Sequence, residues 1–254
     1  MSITYKKWKY LTRFNMEHWG YLIQRPYIQF ELTKKDMDSI ISRKYGEGKF
    51  IMPVDLQTSL KSVTQNKKTT IQKWFIRLST RSMKDAFYGM KPVPLTNHVE
   101  IVERLCDSKR VYDDIKLSRK YDTSMFLFMT EWDDNMNIRH EFRCFVRNGQ
   151  LIGISQYDLY LDLNYMECEL RQLTYNIKNF IDSLQYDELN YVADVLVDDK
   201  THCSLIEINP YDVTTSAIHY TWGELELRYI CKRLTFKYRL FDNIKEYDIK
   251  ITEY

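Results

Sequence analysis

Asp194, Glu207 and Asn209 are the residues of this chain whose types and spacing could do chemistry. Asp194 lies inside the apolar run YVADVLV, and Glu207 and Asn209 lie in SLIEINP, a stretch that otherwise reads as a buried strand. A carboxylate lodged in an apolar strand is costly unless something compensates its charge, and a divalent cation is one such compensator. Glu207 and Asn209 are two apart on one strand, so their side chains leave the same face. Pairing of 191–197 with 203–208 across the polar turn DDKTH would bring Asp194 onto that face. Two carboxylates and an amide are hard oxygen donors of the kind magnesium takes, with water and phosphate oxygens completing its shell. The same residues also suit a plainer arrangement in which Asp194 caps a turn and Glu207 pairs with a lysine. Spacing leaves both open.

Phosphate oxygens need cationic donors. Arg77, on WFIRLST with Ser79, and Arg143, on EFRCFVR, are mid-strand arginines whose planar forks suit bidentate phosphate contact. Taken singly, each also suits a snorkelling surface arginine. The sequence holds no Walker A loop, no G-x-G-x-x-G and no G-x-S-x-G elbow, so a nucleotide would sit between sheets rather than on a glycine loop. His18, His98, His140, His202 and His219 are scattered without metal-ligand spacing. Cys144 shares a strand face with Phe142 and Val146 and has no evident base, so it reads as a small buried hydrophobe. Lys6-Lys7-Trp8-Lys9-Tyr10, and Lys67 to Lys73 running into Trp74-Phe75, interleave base with aromatic. Such patches can track a polyanion, although most charge runs are solvated faces.

The elements that must position these residues follow from periodicity. Tyr27–Leu32 reads as extended, and Thr33 with Asp36 caps a helix that Gly46 and Gly48 would end. KSVTQNKKTT, 61–70, reads as an exposed polar loop, and IQKWFIRLST alternates as a strand. Asn97 to Val111 has one helical period with Val99, Val102, Leu105 and Cys106 on a face, followed by a strand at Met125–Met129. Asn148-Gly149 marks a type I′ hairpin joining Glu141–Arg147 to Gln150–Gln156. Residues 167–185 form an amphipathic helix, and Thr221 with Glu224 is a capping box opening a helix to about Leu234. Strands and helices interleave without regular βαβ spacing, which predicts α+β.

Composition sets outer limits. The 254 residues suit one unit with two lobes, the net charge is only +2, and aromatic content is 15% with 20 Tyr. The five cysteines form no CxxC pair, which suits a reducing compartment. No apolar stretch approaches the ~18 residues of a membrane span, and the basic start MSITYKKWKY lacks the apolar core of a signal peptide. A cytoplasmic setting, and a monomer, are the expectations.

HEFRCFVRNGQLIGISQYD and YVADVLVDDKTHCSLIEINPYDVTTSAIHYTWGELE together resemble the cell-division-cycle protein 123 family. WFIRLSTRSMKDAFY and the later YRLFDNIKEYDI are similar to further segments of it. The resemblance implies an ATP-grasp fold, two lobes with mostly antiparallel sheets clasping a nucleotide, divided here as 1–66, 67–135 and 136–254. It implies ATP and Mg2+ as cofactors, with Asp194, Glu207 and Asn209 as metal ligands. Arg77 falls where such proteins usually carry a lysine on the phosphates. Ser79 lies in the adjoining loop, Thr130-Glu131-Trp132 would be the hinge beside adenine, and Arg143 would lie near phosphate or acceptor. Arg77 and Arg143 are then the candidate catalytic residues. Glutamate at 207 where the family has aspartate keeps charge, whereas Tyr157 in place of an arginine alters the acceptor side. The compact length is that of a viral or bacterial outlier. The implied role is an ATP-binding assembly chaperone gripping an initiation factor 2 γ-like protein. The alternative is an ATP-dependent ligase that activates a substrate by phosphoryl or adenylyl transfer, with a protein carboxylate or an RNA end as acceptor.

Overall fold

A computed structural model describes residues 3–43, 53–66, 71–87, 92–198 and 201–249. The chain forms two compact units, residues 1–18 with 25–134, and residues 19–24 with 135–254.

The first unit is a three-stranded antiparallel sheet in the order β1-β3-β2, built from β1 (Tyr27–Glu31), β2 (Trp74–Leu78) and β3 (Phe126–Glu131). Alternation puts Trp74, Ile76, Leu78, Leu127 and Met129 on one face, where they join a single apolar core with residues of α2 (Lys34–Arg43), α3 (Val54–Thr64), α4 (His98–Asp107) and α5 (Lys109–Tyr121). Trp8 of α1 (Tyr5–Leu11) is buried in that core. Thr33 and Asp36 cap α2 as the spacing predicts: the Thr33 hydroxyl donates to Asp36 Oδ2 at 2.7 Å and accepts from Asp36 N at 3.1 Å. Gly46 and Gly48, its proposed stop, lie outside the described residues.

Three sequence expectations change in this unit. The polar stretch expected as a loop from 61 is the end of α3, which runs to Thr64 because Leu56 and Leu60, one turn apart, bury against the core and carry the helix with them. The single helix expected over 97–111 is two helices. Ser108 adopts an extended conformation between them, its hydroxyl accepting from Val111 N at 3.2 Å and donating to Asp85 at 2.6 Å. Val99 is 43% exposed, and Ile101 takes the core position expected of it.

The second unit is a six-stranded sheet in the order β7-β6-β4-β5-β8-β9, antiparallel except where β5 meets β8. Its strands are β4 (Glu141–Arg147), β5 (Gln150–Gln156), β6 (Tyr191–Asp198), β7 (His202–Pro210), β8 (Leu234–Leu240) and β9 (Asn243–Ile249). The Asn148-Gly149 turn has φ of 49° and 73°, the left-handed pair that a type I′ turn requires. α6 (Glu167–Ser183) packs against β5, β6 and β7, burying Leu170, Leu173, Ile177 and Ile181. α7 (Trp222–Ile230) carries the expected Thr221–Glu224 capping box and covers β5. Gly153 permits that approach, since a Cβ there would meet Leu225 at 3.1 Å and Tyr220 at 3.2 Å. α7 ends at Ile230 rather than near Leu234, because Leu234–Leu240 is drawn into the sheet as β8. Among the described residues no helix is long and apolar enough to cross a membrane.

Candidate functional site

β6 and β7 pair so that Asp194 stands directly opposite Glu207, with a bulge just beyond at Ile206. Asp194 is 1% exposed and Glu207 9% exposed. Asn209 lies opposite Val192, two residues along, and its side-chain nitrogen donates to Asp194 Oδ2 at 3.3 Å. The cation beside Asp194 belongs to the chain itself. Arg143 is its register partner on β4, and donates from Nε to Oδ1 at 2.7 Å and from Nη2 to Oδ2 at 2.8 Å. The remaining nitrogen, Nη1, donates to the Ser216 carbonyl at 2.8 Å, and the guanidinium lies 5.0 Å over the Tyr157 ring. Burial alone would lower the arginine's pKa, but the charge and hydrogen bonds of Asp194 outweigh it and raise it above its ordinary value. Sequence spacing missed this clamp because it depends on how β4 and β6 align.

The set also suits a hard divalent ion. Oδ1 of Asp194 accepts only from Arg143 Nε and keeps a second lone pair, whereas Oδ2 accepts from both Arg143 and Asn209. Among the described residues no three His, Cys, Asp or Glu converge as a metal cluster. The triplet here is two carboxylates and an amide, the oxygen-only chemistry that magnesium accepts.

The register extends these residues into a row across the whole sheet: Glu207, Asp194, Arg143, Ser155, Lys237 and Glu246. Lys237 is 7% exposed, donates to Glu224 at 2.6 Å, lies 3.7 Å from Glu246 and sits 4.7 Å over the Tyr220 ring. Sequence reading missed it by taking Leu234 as the end of a helix. The signal was present in LTFKYRL, a charged residue at mid-strand in an alternating run. The fully buried Ser155 hydroxyl accepts from His219 N at 3.4 Å. His219 Nε2 is buried with no hydrogen-bond partner, and burial, then Lys237 and Arg239, lower the ring's pKa and favour its neutral form. Cys144, on the alternate face, is fully buried and its thiol is pushed well up, chiefly by burial, which leaves it inert.

The other predicted residues lie on the first unit. Arg77 is 4% exposed on β2, and its Nε donates to the Leu78 carbonyl at 3.2 Å. Its register partner is Phe128, and Phe75 pairs with Thr130. Arg77, Phe75, Phe128 and Thr130 therefore share the sheet face opposite the core, with Tyr27 5.6 Å from the Phe128 ring. Ser79 is engaged within the sheet, its hydroxyl accepting from Phe126 N at 2.7 Å and donating to Phe126 O at 3.2 Å. Glu131 is exposed at the end of β3, and Trp132 N donates to Lys73 O at 2.9 Å. The structure thus brings Arg143, Asp194, Glu207 and Asn209 together on one sheet, and Arg77 and Thr130 together on the other.

Over 94 residues the chain is 34% identical to the translation initiation factor eIF2 assembly protein of Xenopus laevis, covering 36% of this chain and 28% of that one. Over 125 residues it is 33% identical to cell division cycle protein 123 of Eremothecium gossypii, covering 47% and 34%. The matched stretches thus span about a third or less of these relatives' length. The structure of Cdc123 from Schizosaccharomyces pombe superposes with a TM-score of 0.69 at 20% identity, covering 89% of this chain and 94% of that one. The fold is shared, and with it the α+β class expected from the sequence. The D123 family model matches residues 55–253, well over half of the sequence, and the chain belongs to the D123 family.

Proposed function

We propose that this chain binds ATP with magnesium and, so loaded, takes up a protein partner of the initiation factor 2 γ kind in the cytoplasm, as a single copy. One observation carries the nucleotide part: a row of ionic residues in a sheet otherwise dominated by buried apolar side chains, ending in two carboxylates and an amide. Burying such groups is at best neutral for stability, so a sheet built for packing alone would use apolar residues there. Asp194, Glu207 and Asn209 would hold the ion. Arg143 would meet phosphate oxygens. Bound magnesium would supply charge neutralisation at the phosphates. Arg143 fixes Asp194 in orientation, while Tyr157 and the Ser216 carbonyl fix Arg143. The partner rests on relatives named for assembling eIF2.

Titration calorimetry tests the nucleotide reading. ATP binding is expected to require magnesium and to be lost on adding a chelator, in Asp194→Ala and in the milder Asn209→Ala. Unchanged ATP affinity in a folded Asn209→Ala protein would end it. Capture of purified γ subunit only when ATP is present tests the partner.

The ligase reading is favoured by one feature, the unpartnered Nε2 of His219, a residue whose backbone N–H donates to Ser155. Such a nitrogen can take a proton from an attacking nucleophile. Release of ADP or AMP coupled to a joined product would favour it, and a stable ATP-bound complex without turnover would dismiss it.

A further inference from the structure

We propose that the surface made by α1 and the C-terminal half of α5 binds single-stranded nucleic acid, a role that does not depend on the nucleotide reading above. The basic-aromatic run at Lys6 to Tyr10 is not absorbed by any site on either sheet. Its tryptophan is not part of a binding face: Trp8 is 2% exposed and its Nε1 donates to Thr123 Oγ1 at 3.1 Å, pinning α1 against the end of α5. With Trp8 turned inward, Lys6 and Lys9 turn outward, and both are exposed. Tyr5 is 56% exposed, with its ring 5.4 Å from Tyr121 of α5. Lys120 lies 4.9 Å over the Tyr121 ring, and one turn earlier Lys116 lies 5.1 Å over Tyr112.

The neighbouring acids are committed elsewhere. Asp122 pairs with Lys34 at 2.7 Å, Asp38 with Arg119 at 2.9 Å and Asp113 with Lys109 at 2.6 Å. No Asp or Glu precedes Glu17 in the sequence. Among the described residues, Lys6, Lys9, Lys116 and Lys120 have no carboxylate partner, so the patch carries uncompensated positive charge. Cations set around the exposed Tyr5 ring and the half-buried Tyr112 and Tyr121 rings match a chain of phosphates whose bases are unstacked, because every base offers a π-face to a tyrosine. A duplex hides those faces, and an acidic peptide would have no use for the rings. A lipid surface needs a contiguous apolar face, and the large apolar side chain of α1 points into the core.

Fluorescence anisotropy of the full chain with a labelled oligouridylate of about 12 nucleotides, within the range one such surface covers, tests this. If the four lysines meet phosphates, the slope of log affinity against log salt will be about −3 between about 50 and 200 mM salt. Lys6→Gln with Lys9→Gln should reduce that slope to about half. Tyr5→Ala should weaken binding about tenfold and leave the slope unchanged. These positions are exposed, so unaltered thermal melting verifies that the variants fold. Absence of binding at the lower salt overturns the proposal, as does a slope indifferent to the lysine pair. Equal affinity for polyglutamate, an anionic vesicle or duplex RNA of the same length overturns it as well.

Discussion

Two of the bidentate Arg–Asp pairs among the described residues have nearly the same geometry in different surroundings. In the second unit Arg143 clamps Asp194 with both side chains inside the sheet, at 7% and 1% side-chain exposure. In the first unit Arg81 clamps Asp114 of α5 at 2.9 and 2.7 Å, with Thr80 adding a 2.6 Å bond, but the arginine is 43% exposed and only the aspartate is buried at 6%. Water can replace Arg81 at its aspartate and cannot replace Arg143. Hydrogen-bond length alone therefore does not rank the two. The outer pair joins a loop to a helix. The inner one has the character of a site, because the chain keeps ions where packing would favour apolar residues.

The largest expected effect comes from removing the inner cation. Arg143→Ala should destabilise by about 3–5 kcal/mol in urea unfolding, leaving Asp194 buried and unpaired. A loss below about 1 kcal/mol would mean that water reaches Asp194 and would erase the distinction. Arg81→Ala should cost about 1 kcal/mol or less, and high salt should narrow that loss. The conservative exchange sharpens the contrast: Arg143→Lys cannot reproduce two parallel bonds and should still lose stability clearly, whereas Arg81→Lys should be close to neutral. The smallest effect concerns pH. The folded-state pKa of His219 is lowered, so its contribution is present above its unfolded value near 6.5 and is lost as pH falls through the folded value. His219→Asn should flatten the decline of stability below about pH 6.5 in pH-dependent melting, and an unchanged profile would remove His219 from the account.

Local chemistry was legible in the sequence and long-range register was not. Asn148-Gly149 specified the β4–β5 hairpin, and the Thr221–Glu224 box marked the start of α7, because turn and cap geometry depend on neighbours in the chain. The Asp194–Glu207 pairing was also reachable, since a short turn joins its strands. Arg143 and Asp194 are 51 positions apart, and nothing near either residue announces the other. The break at Ser108 was hidden because the apolar period runs through it; what decides it is the acceptor Asp85, 23 positions away. The reach of α3 to Thr64 was hidden for the opposite reason, since its polar exposed face outweighed the pair Leu56 and Leu60.

The parallel seam between β5 and β8 orders the events of assembly. Between these strands the chain passes through α6, β6, β7 and α7, so β5 has β4 on one side and nothing on the other until β8 arrives. Six of its seven residues are buried in the finished sheet, Leu151, Ile152 and Ile154 among them, so it is an unpaired, partly apolar edge while it waits. A chain cut before Leu234 would keep the whole Asp194–Arg143 clamp and still present that edge. It should self-associate at concentrations where the full chain stays in solution, a difference that light scattering reads directly. The last two strands, remote from the carboxylates, are thus what closes the edge of the sheet that carries them.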